Sequence, residues 1–341
     1  EDGTKQEEGY NKNGVKDGVW TKWYANGKIQ EKTTYKKGLR EGAAQTWYDN
    51  GNKEMEGFYI SDSLNCYGSW WRSNGNKEME GKIRGDLQDS VWIFYHENGA
   101  NGSTGNFVKG KQQGPWVYYY ETGEKWKDGY FTDGKKSGLW TTYYEDGKKQ
   151  REGTFENDKE NGLWTSWYRN GQKQDMGTFK DGKMHLKWEG WFENGKKKYI
   201  AEYIDGQRNG KYTLWWKNGN MRTEQMYKNG EKNGASSEWY ENGKITESGY
   251  YTNDQKGGYW SFYDQYGVLF QEQGFSQGRP DGKFVEYHQN GQKSSQGLYV
   301  NGLREGTWYY WDKDGKLSYK ITFSKGKKVG EEGTKAPEPK K

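Results

Sequence analysis

Aromatic residues return along this chain at one fixed interval. Trp23, Trp47, Trp71, Tyr95, Tyr119, Tyr143, Trp167, Trp191, Trp215, Trp239, Tyr263, Tyr287 and Trp311 stand 24 residues apart, each four residues ahead of a glycine. No insertion or deletion interrupts the thirteen copies. A period of this size marks a repeat array, in which each unit stacks on its neighbours to bury what it cannot bury alone. With the first position of a repeat set at offset 0, the first repeat begins at Gly18 and the thirteenth at Gly306.

Inside the repeat, polar turn signals separate two aromatic-rich runs. Offsets 8 and 9 read Asn-Gly in nine repeats and Asp-Gly in two, which predicts a two-residue type I′ turn with positive φ at both positions. A second glycine recurs near offset 20, as at Gly110, Gly134 and Gly182. Two turns leave two strands of about eight residues, hence one β-hairpin per repeat. This register sets offset 2 opposite offset 15, and offset 5 opposite offset 12. Offset 2 is Trp in eight repeats, whereas offset 15 is usually Gly, so a ring is expected to lie over a cross-strand glycine. The aromatic at offset 17 shares that face and the aromatic at offset 5 takes the other, provided no bulge intervenes.

The expected fold is all-β, an elongated array of thirteen 24-residue β-hairpins forming one twisted antiparallel meander sheet. Residues 1–17 supply a partial N-terminal repeat or cap, residues 18–329 the continuous array, and residues 330–341 a disordered polar tail. Only 30% of the 341 residues are hydrophobic, but 18% of the chain is aromatic and the net charge is only +5. Low aliphatic content alone would suggest disorder; phased rings that can stack along the sheet argue for order.

The string Gly162-Leu-Trp-Thr-Ser-Trp-Tyr-Arg-Asn-Gly171, followed by Gly177-Thr-Phe-Lys-Asp-Gly182, resembles the MORN repeat variant family, which includes bacterial antitoxin-type proteins of the YwqK kind. The resemblance covers residues 9–330. It implies a meander of hairpins used for protein binding, scaffolding and sometimes membrane association. The chain departs from the family pattern in its rigid spacing, and in carrying Trp at offset 2 where the standard repeat tends to carry Gly.

Reactive chemistry is not expected. His96, His185 and His288 are far apart in an array where repeats meet only neighbours, so no metal set or Ser-His-Asp arrangement forms. His96 and His288 occupy offset 6, often Tyr, and read as substituted aromatics. The lone Cys66 stands at a repeat-start position and reads as a neutral thiol. Glu121, Glu145, Glu193 and Glu241 recur at offset 7 as a solvated turn flank, not a tuned acid–base pair. None of the glycines forms a phosphate-binding loop. No cofactor, no metal and no catalytic residue is expected. Nucleic acid is disfavoured because 53 basic residues face 48 acidic ones, and Lys near sheet edges also deters aggregation. No stretch approaches the ~20 apolar residues of a membrane span.

The expected function is a non-enzymatic protein-binding scaffold presenting an extended aromatic-rich β surface, as a component of a bacterial cell-envelope or surface assembly. The candidate partner-binding residues are Trp70, Trp71, Trp188, Trp191, Phe192, Trp215 and Trp216, where adjacent rings should leave one exposed. A cell-wall carbohydrate-binding repeat protein is one alternative, since the Trp and Tyr texture is similar to choline- and glucan-binding repeats. A toxin-neutralising antitoxin or immunity protein is another, implied by the family alone. A chain beginning at Glu1 suggests an exported protein with its leader removed, at the cell surface or in the periplasm. A cytoplasmic location is the alternative.

Overall fold

Two kinds of turn fold each repeat, and the type I′ turn does not fall at the Asn-Gly signal where it is expected. At the Asn-Gly signal, the Tyr120 N–H donates to the Glu124 carbonyl at 2.8 Å and the Gly123 N–H to the Tyr120 carbonyl at 2.9 Å. Gly123 has φ +92°, while the residues at offset 8 are absent from the positive-φ set. This is a type I turn closed by a glycine bulge, with a three-residue loop. It moves the partner of offset 5 to offset 11, as in Tyr119 with Lys125, instead of the expected offset 12. The type I′ turn occurs instead near offset 20, where Asp133 (φ +50°) and Gly134 (φ +80°) both adopt the left-handed region.

The computed structural model describes residues 5–333. Among them are thirty strands and no helix, divided between two units, one ending at Gly171 and the other beginning at Gln172. Each unit is an antiparallel meander in which a strand pairs with its chain neighbours, as in Lys111–Tyr119, Lys125–Thr132 and Lys135–Tyr143. The expected N-terminal partial repeat forms a strand pair, Glu7–Lys12 with Val15–Trp23. Residues 330–333, expected in the tail, belong instead to the strand Lys327–Gly333, paired with Leu317–Ser324. The rest of the expected tail, 334–341, lies outside the described residues, as do residues 1–4.

The pairing of offset 2 with offset 15 holds, as in Trp116 with Gly129. Trp116 also pairs with Gly105 of the preceding repeat, and its ring lies over that glycine. A Cβ at Gly105 would come within 2.1 Å of the ring. The same close approach recurs at Gly9, Gly81, Gly129, Gly153, Gly177, Gly249 and Gly297, each beneath the Trp eleven residues later. Beside each pair sits a bulge whose offset-0 residue holds positive φ, most often a glycine such as Gly114, Gly138 or Gly162. In every pair but Trp308 with Gly297 the indole N–H bonds the carbonyl at offset 16 across it. Trp116 Nε1, for example, donates to the Asn106 carbonyl at 3.2 Å.

Where offset 2 is not Trp, the glycine is usually gone as well. Ala44 faces Thr33, Ser236 faces Gln225 and Phe284 faces Gln273. Gln225 and Gln273 are buried, and each amide donates to the offset-16 carbonyl that an indole would otherwise reach, Met226 O at 3.0 Å and Gly274 O at 2.7 Å. The pair changes together because an indole and a Cβ cannot share one site.

The bulges leave the face assignment intact. Trp116 meets Phe107 at 5.2 Å and Phe131 at 5.9 Å, edge to face, and Phe131 meets Trp140 at 5.2 Å. Offsets 2 and 17 therefore share one face, and Trp92, Phe107, Trp116, Phe131 and Trp140 form the buried core of the first unit. In the second unit the same motif joins Phe179 to Trp188, Tyr251 to Trp260 and Tyr299 to Trp308. Each such pair contributes about 0.5–1.5 kcal/mol beyond its area. Cations close the outer surface of the column: Lys136 lies 4.8 Å from the Trp140 ring, Lys256 3.9 Å from Trp260 and Arg304 4.4 Å from Trp308.

Gly129→Ala is expected to destabilise the first unit by about 2–3 kcal/mol through overpacking against Trp140. The double variant Gly129→Ala/Trp140→Ala should cost less than the sum of the two singles, because the clash is removed. Additive losses in urea unfolding would contradict this account. Leu186 takes the offset-0 position at φ +58°, a conformation that costs a side-chain-bearing residue ~1–2 kcal/mol. Leu186→Gly should accordingly raise stability by about 1 kcal/mol; an unchanged or lower urea midpoint would rule out strain at the bulge.

Candidate interaction surface

The offset-8 asparagine explains why the first turns stack in register. Asn26 Oδ1 accepts from the Lys28 N–H at 3.0 Å, fixing its own turn, and its Nδ2 donates to the Asp49 carbonyl of the next repeat at 2.8 Å. Asn98, Asn218 and Asn242 make the same inter-repeat bond to Glu121, Glu241 and Gln265. A second row runs beside it. The offset-6 hydroxyls of Tyr24, Tyr48, Tyr120 and Tyr144 donate to the offset-5 carbonyl of the following repeat at 2.7–2.8 Å. His96 and His288 stand in this row, with Nε2 3.0 Å from the carbonyls of Tyr119 and Trp311.

On the face opposite the buried column, Lys at offset 11 sits between an aromatic and an acid. Lys125 Nζ lies 5.3 Å from the Tyr143 ring and 3.0 Å from Asp128. Lys77 reaches the Trp71 and Tyr95 rings and pairs with Glu80 at 2.7 Å. Each half-exposed ion pair contributes about 0–1 kcal/mol; its repetition fixes the rings in place. The Tyr95 hydroxyl also bonds Glu80, and burial together with that carboxylate pushes the Tyr95 pKa up. Desolvation, then the bond to Glu272, likewise pushes Tyr287 up to about 12.

Of the seven rings singled out in the sequence, none is exposed; all are half-buried or buried. Trp70 stacks on Trp92 at 5.5 Å, joining the core side, while Trp71 faces the other side beneath Lys53 at 5.1 Å. Trp188 is buried over Gly177. Trp191 lies beneath Lys197 at 4.3 Å, and Phe192 flanks a first turn through its N–H bond to the Lys196 carbonyl. Trp215 takes the offset-5 position, opposite Met221. Trp216 fills the tyrosine row, its Nε1 3.0 Å from the Trp239 carbonyl, with Arg222 over its ring at 4.5 Å. Adjacent rings do take opposite faces, but lysines, arginines and neighbouring rings cover both.

Apolar groups reach solvent at several offsets, among them 16, 18 and 21 as at Met226, Val108 and Leu87, and at offset 1, a position the sequence reading passed over, they recur in successive repeats. Val91, Pro115, Leu139 and Leu163 are exposed in four successive repeats of the first unit, Leu139 to 52% and Leu163 to 60%. Alternation with the buried Trp at offset 2 was the available signal. At two strand spacings per repeat, the row is roughly 30 Å long. Exposed Lys111, Lys135 and Lys159 line the turn edge beside it. Cys66 is half-buried, its sulfur accepts the Phe58 N–H at 3.1 Å, and burial pushes the thiol pKa up, which keeps it protonated. Cys66 has no positive φ, and the strand breaks there, between Ser63–Leu64 and Tyr67–Trp71. Among the described residues, no group of three or more His, Cys, Asp or Glu side chains is placed to hold a metal, and no helix is long and apolar enough to cross a membrane.

A family model described as the MORN repeat variant matches residues 16–37, 40–61, 136–157, 160–181, 184–205, 208–229, 232–253, 280–301 and 304–325. No curated protein sequence matches the chain. Among solved structures, it is similar to the crystal structure of TcdB2-TccC3-Cdc42, with 11% identity and a TM-score of 0.18, covering 93% of this chain and 22% of that one. It is also similar to the Photorhabdus luminescens Tc holotoxin pore, with 9% identity and a TM-score of 0.14, covering 92% and 23%. The chain thus spans less than a quarter of the length of these structures' chains, and scores this low carry no functional argument.

The raised Tyr287 pKa fixes a sign for alkaline stability. Its proton is held more tightly in the folded state, so its contribution is complete below pH ~10 and is lost as pH rises towards about 12. Wild-type protein should lose more thermal stability over that window than Tyr287→Phe. Identical pH profiles would show that the Tyr287–Glu272 contact contributes nothing to alkaline sensitivity.

Proposed function

The chain belongs to the MORN repeat variant family, and on that premise we propose that it is a non-catalytic protein-binding scaffold. The observation that carries this is the exposed row Val91, Pro115, Leu139 and Leu163. These side chains recur at one offset with Asn106, Tyr130 and Thr154 between them, and an extended apolar-bearing row on an otherwise charged surface marks an association site. Repeat arrays bind through such extended surfaces. The rings of the two columns are committed to hydrogen bonds, cations and one another, which supports a partner meeting the offset-1 row over one meeting the tryptophan pairs. The same commitment disfavours an array of equivalent sugar-stacking sites. The two histidines at offset 6 are spent on carbonyl contacts, which supports a structural role for them over a chemical one. An envelope or surface assembly is the proposed setting.

The test is photo-cross-linking in intact cells of origin, with a photoreactive residue placed at Leu139, at Leu163 or, as a control, at Gln271 on the buried-column face. Cross-links to the same protein set from both row positions, without that set at the control, are expected. Equal labelling from all three positions, or none from the row, would sink the scaffold reading. A set made up of cytoplasmic proteins would remove the envelope setting and leave the scaffold standing.

A further inference from the structure

Tyr250 and Tyr259 are two exposed aromatics of the second unit that lie next to each other on one face of the sheet. Tyr250 is 50% exposed and Tyr259 68%, and among the described residues neither ring meets a cation or another ring. They occupy offset 16 of one repeat and offset 1 of the next, on the face opposite the buried tryptophans, and sit beside one another across a bulge. What surrounds them sets them apart. Tyr250 pairs with Ala235 on one side and Gly257 on the other, and Tyr259 pairs with Gly274. Along the strands, the next pairs on this face are Ser237 with Ser248 and Ser248 with Ser261, a row of three hydroxyls across three strands. Towards the turn the pair is Thr252 with Gln255.

In a chain that is 30% charged, the side chains paired around Tyr250 carry no charge at all. The position of Ser248 holds an acid in other repeats, as in Glu152 opposite Thr141 or Asp128 opposite Val117. A carboxylate stands at each end of the serine row and both have partners: Glu224, opposite Ser237, pairs with Lys211 at 2.8 Å, and Glu272, opposite Ser261, is bonded to the Tyr287 hydroxyl at 2.7 Å. The exposed Tyr130 of the first unit differs in this respect, because Asp128 stands two residues away on its strand.

We propose that Tyr250 and Tyr259, with the hydroxyls of Ser237, Ser248 and Ser261, form a binding site for a neutral oligosaccharide. Open aromatic faces stack on the apolar C–H faces of sugar rings, and uncharged hydroxyl and amide groups match sugar hydroxyls. The glycines on either side leave the rings unobstructed and the surface shallow. The side chains paired with Tyr250 and Tyr259 offer no cation and carboxylates flank the serine row, which disfavours acidic polysaccharides. Size separates a sugar from a protein partner. The patch is about 10 Å across three strands and about 15 Å along them, well short of the ~800 Å² per partner that a stable protein interface buries. A few sugar rings fit within it. The site is local to these repeats and independent of the partner proposed for the offset-1 row.

The experiment is calorimetric titration of the full chain with neutral hexasaccharides: β-1,4-glucose, β-1,4-N-acetylglucosamine, β-1,3-glucose, α-1,4-glucose and α-1,6-mannose. Binding of at least one is expected, weakened about tenfold or more by Tyr250→Ala and by Tyr259→Ala, the worth of a lost stacking ring. Ser248→Glu should weaken it as well, and Tyr130→Ala should leave it unchanged. All four side chains are exposed or half-exposed, and far-UV circular dichroism confirms that each variant folds. No binding by any of the five sugars overturns the proposal, as does binding that both tyrosine variants retain. Neither outcome touches the scaffold reading, which cross-linking at Leu139 and Leu163 tests separately.

Discussion

The indole of an offset-2 tryptophan lying flat on the glycine eleven residues before it is the contact on which the repeat depends. It performs three tasks at one site. The ring covers backbone that glycine leaves bare, its N–H bonds the carbonyl across the bulge, and its edge meets the offset-17 aromatic on either side. Glycine is required there by space, since a Cβ would fall 2.1 Å from Trp116 or Trp140 ring atoms. The exceptions support the rule. When Gln225 or Gln273 replaces the glycine, the ring shrinks or disappears, and the glutamine amide takes over the indole's bond.

From that contact the rest of the architecture follows by translation. Each repeat needs the ring of the next one, so stability is shared between neighbours and no repeat is complete alone. The asparagine ladder at one edge and the tyrosine row beside it then fix the repeats in step. This explains why the 24-residue spacing tolerates no insertion. One extra residue would exchange the faces of a strand and remove a tryptophan from its glycine. It also explains how a chain with so little aliphatic content folds. Lysine and arginine stems lie over ring faces and supply the outer cover that a second layer provides in other sheets.

Much of this was legible in the sequence, and what was missed has a physical cause. The period, the two strands per repeat, the pairing of offset 2 with offset 15 and the shared face of offsets 2 and 17 all follow from spacing, because side-chain direction in a strand is local. The turn type is not legible there because Asn-Gly suits both a type I′ turn and a type I turn with a glycine bulge. Only the hydrogen bond from Asn26 to Asp49, a repeat away, shows what the asparagine is for. The tryptophan pairs were expected to expose a ring, an inference that treated the strand in isolation. Lysines at offset 11, such as Lys53 and Lys197, recur with the same period and cover those rings from the neighbouring strand.

Function is thereby left to positions that the repeat does not use. Offsets 2, 5, 6, 8, 15 and 17 are each bound to a structural partner, so changing one disturbs a neighbouring repeat. Offsets 1 and 16 face solvent beside the bulge and vary freely, from Val91 and Leu139 to Lys187, and from Thr154 to Tyr250. A surface of this kind can be rewritten repeat by repeat without altering the fold beneath it. The apolar row of the first unit and the uncharged tyrosine pair of the second are two different texts written at the same offsets. The offset-0 glycine is what makes this possible: its positive φ at Gly114 or Gly138 inserts the extra residue that lifts offset 1 clear of the sheet while offset 2 stays buried.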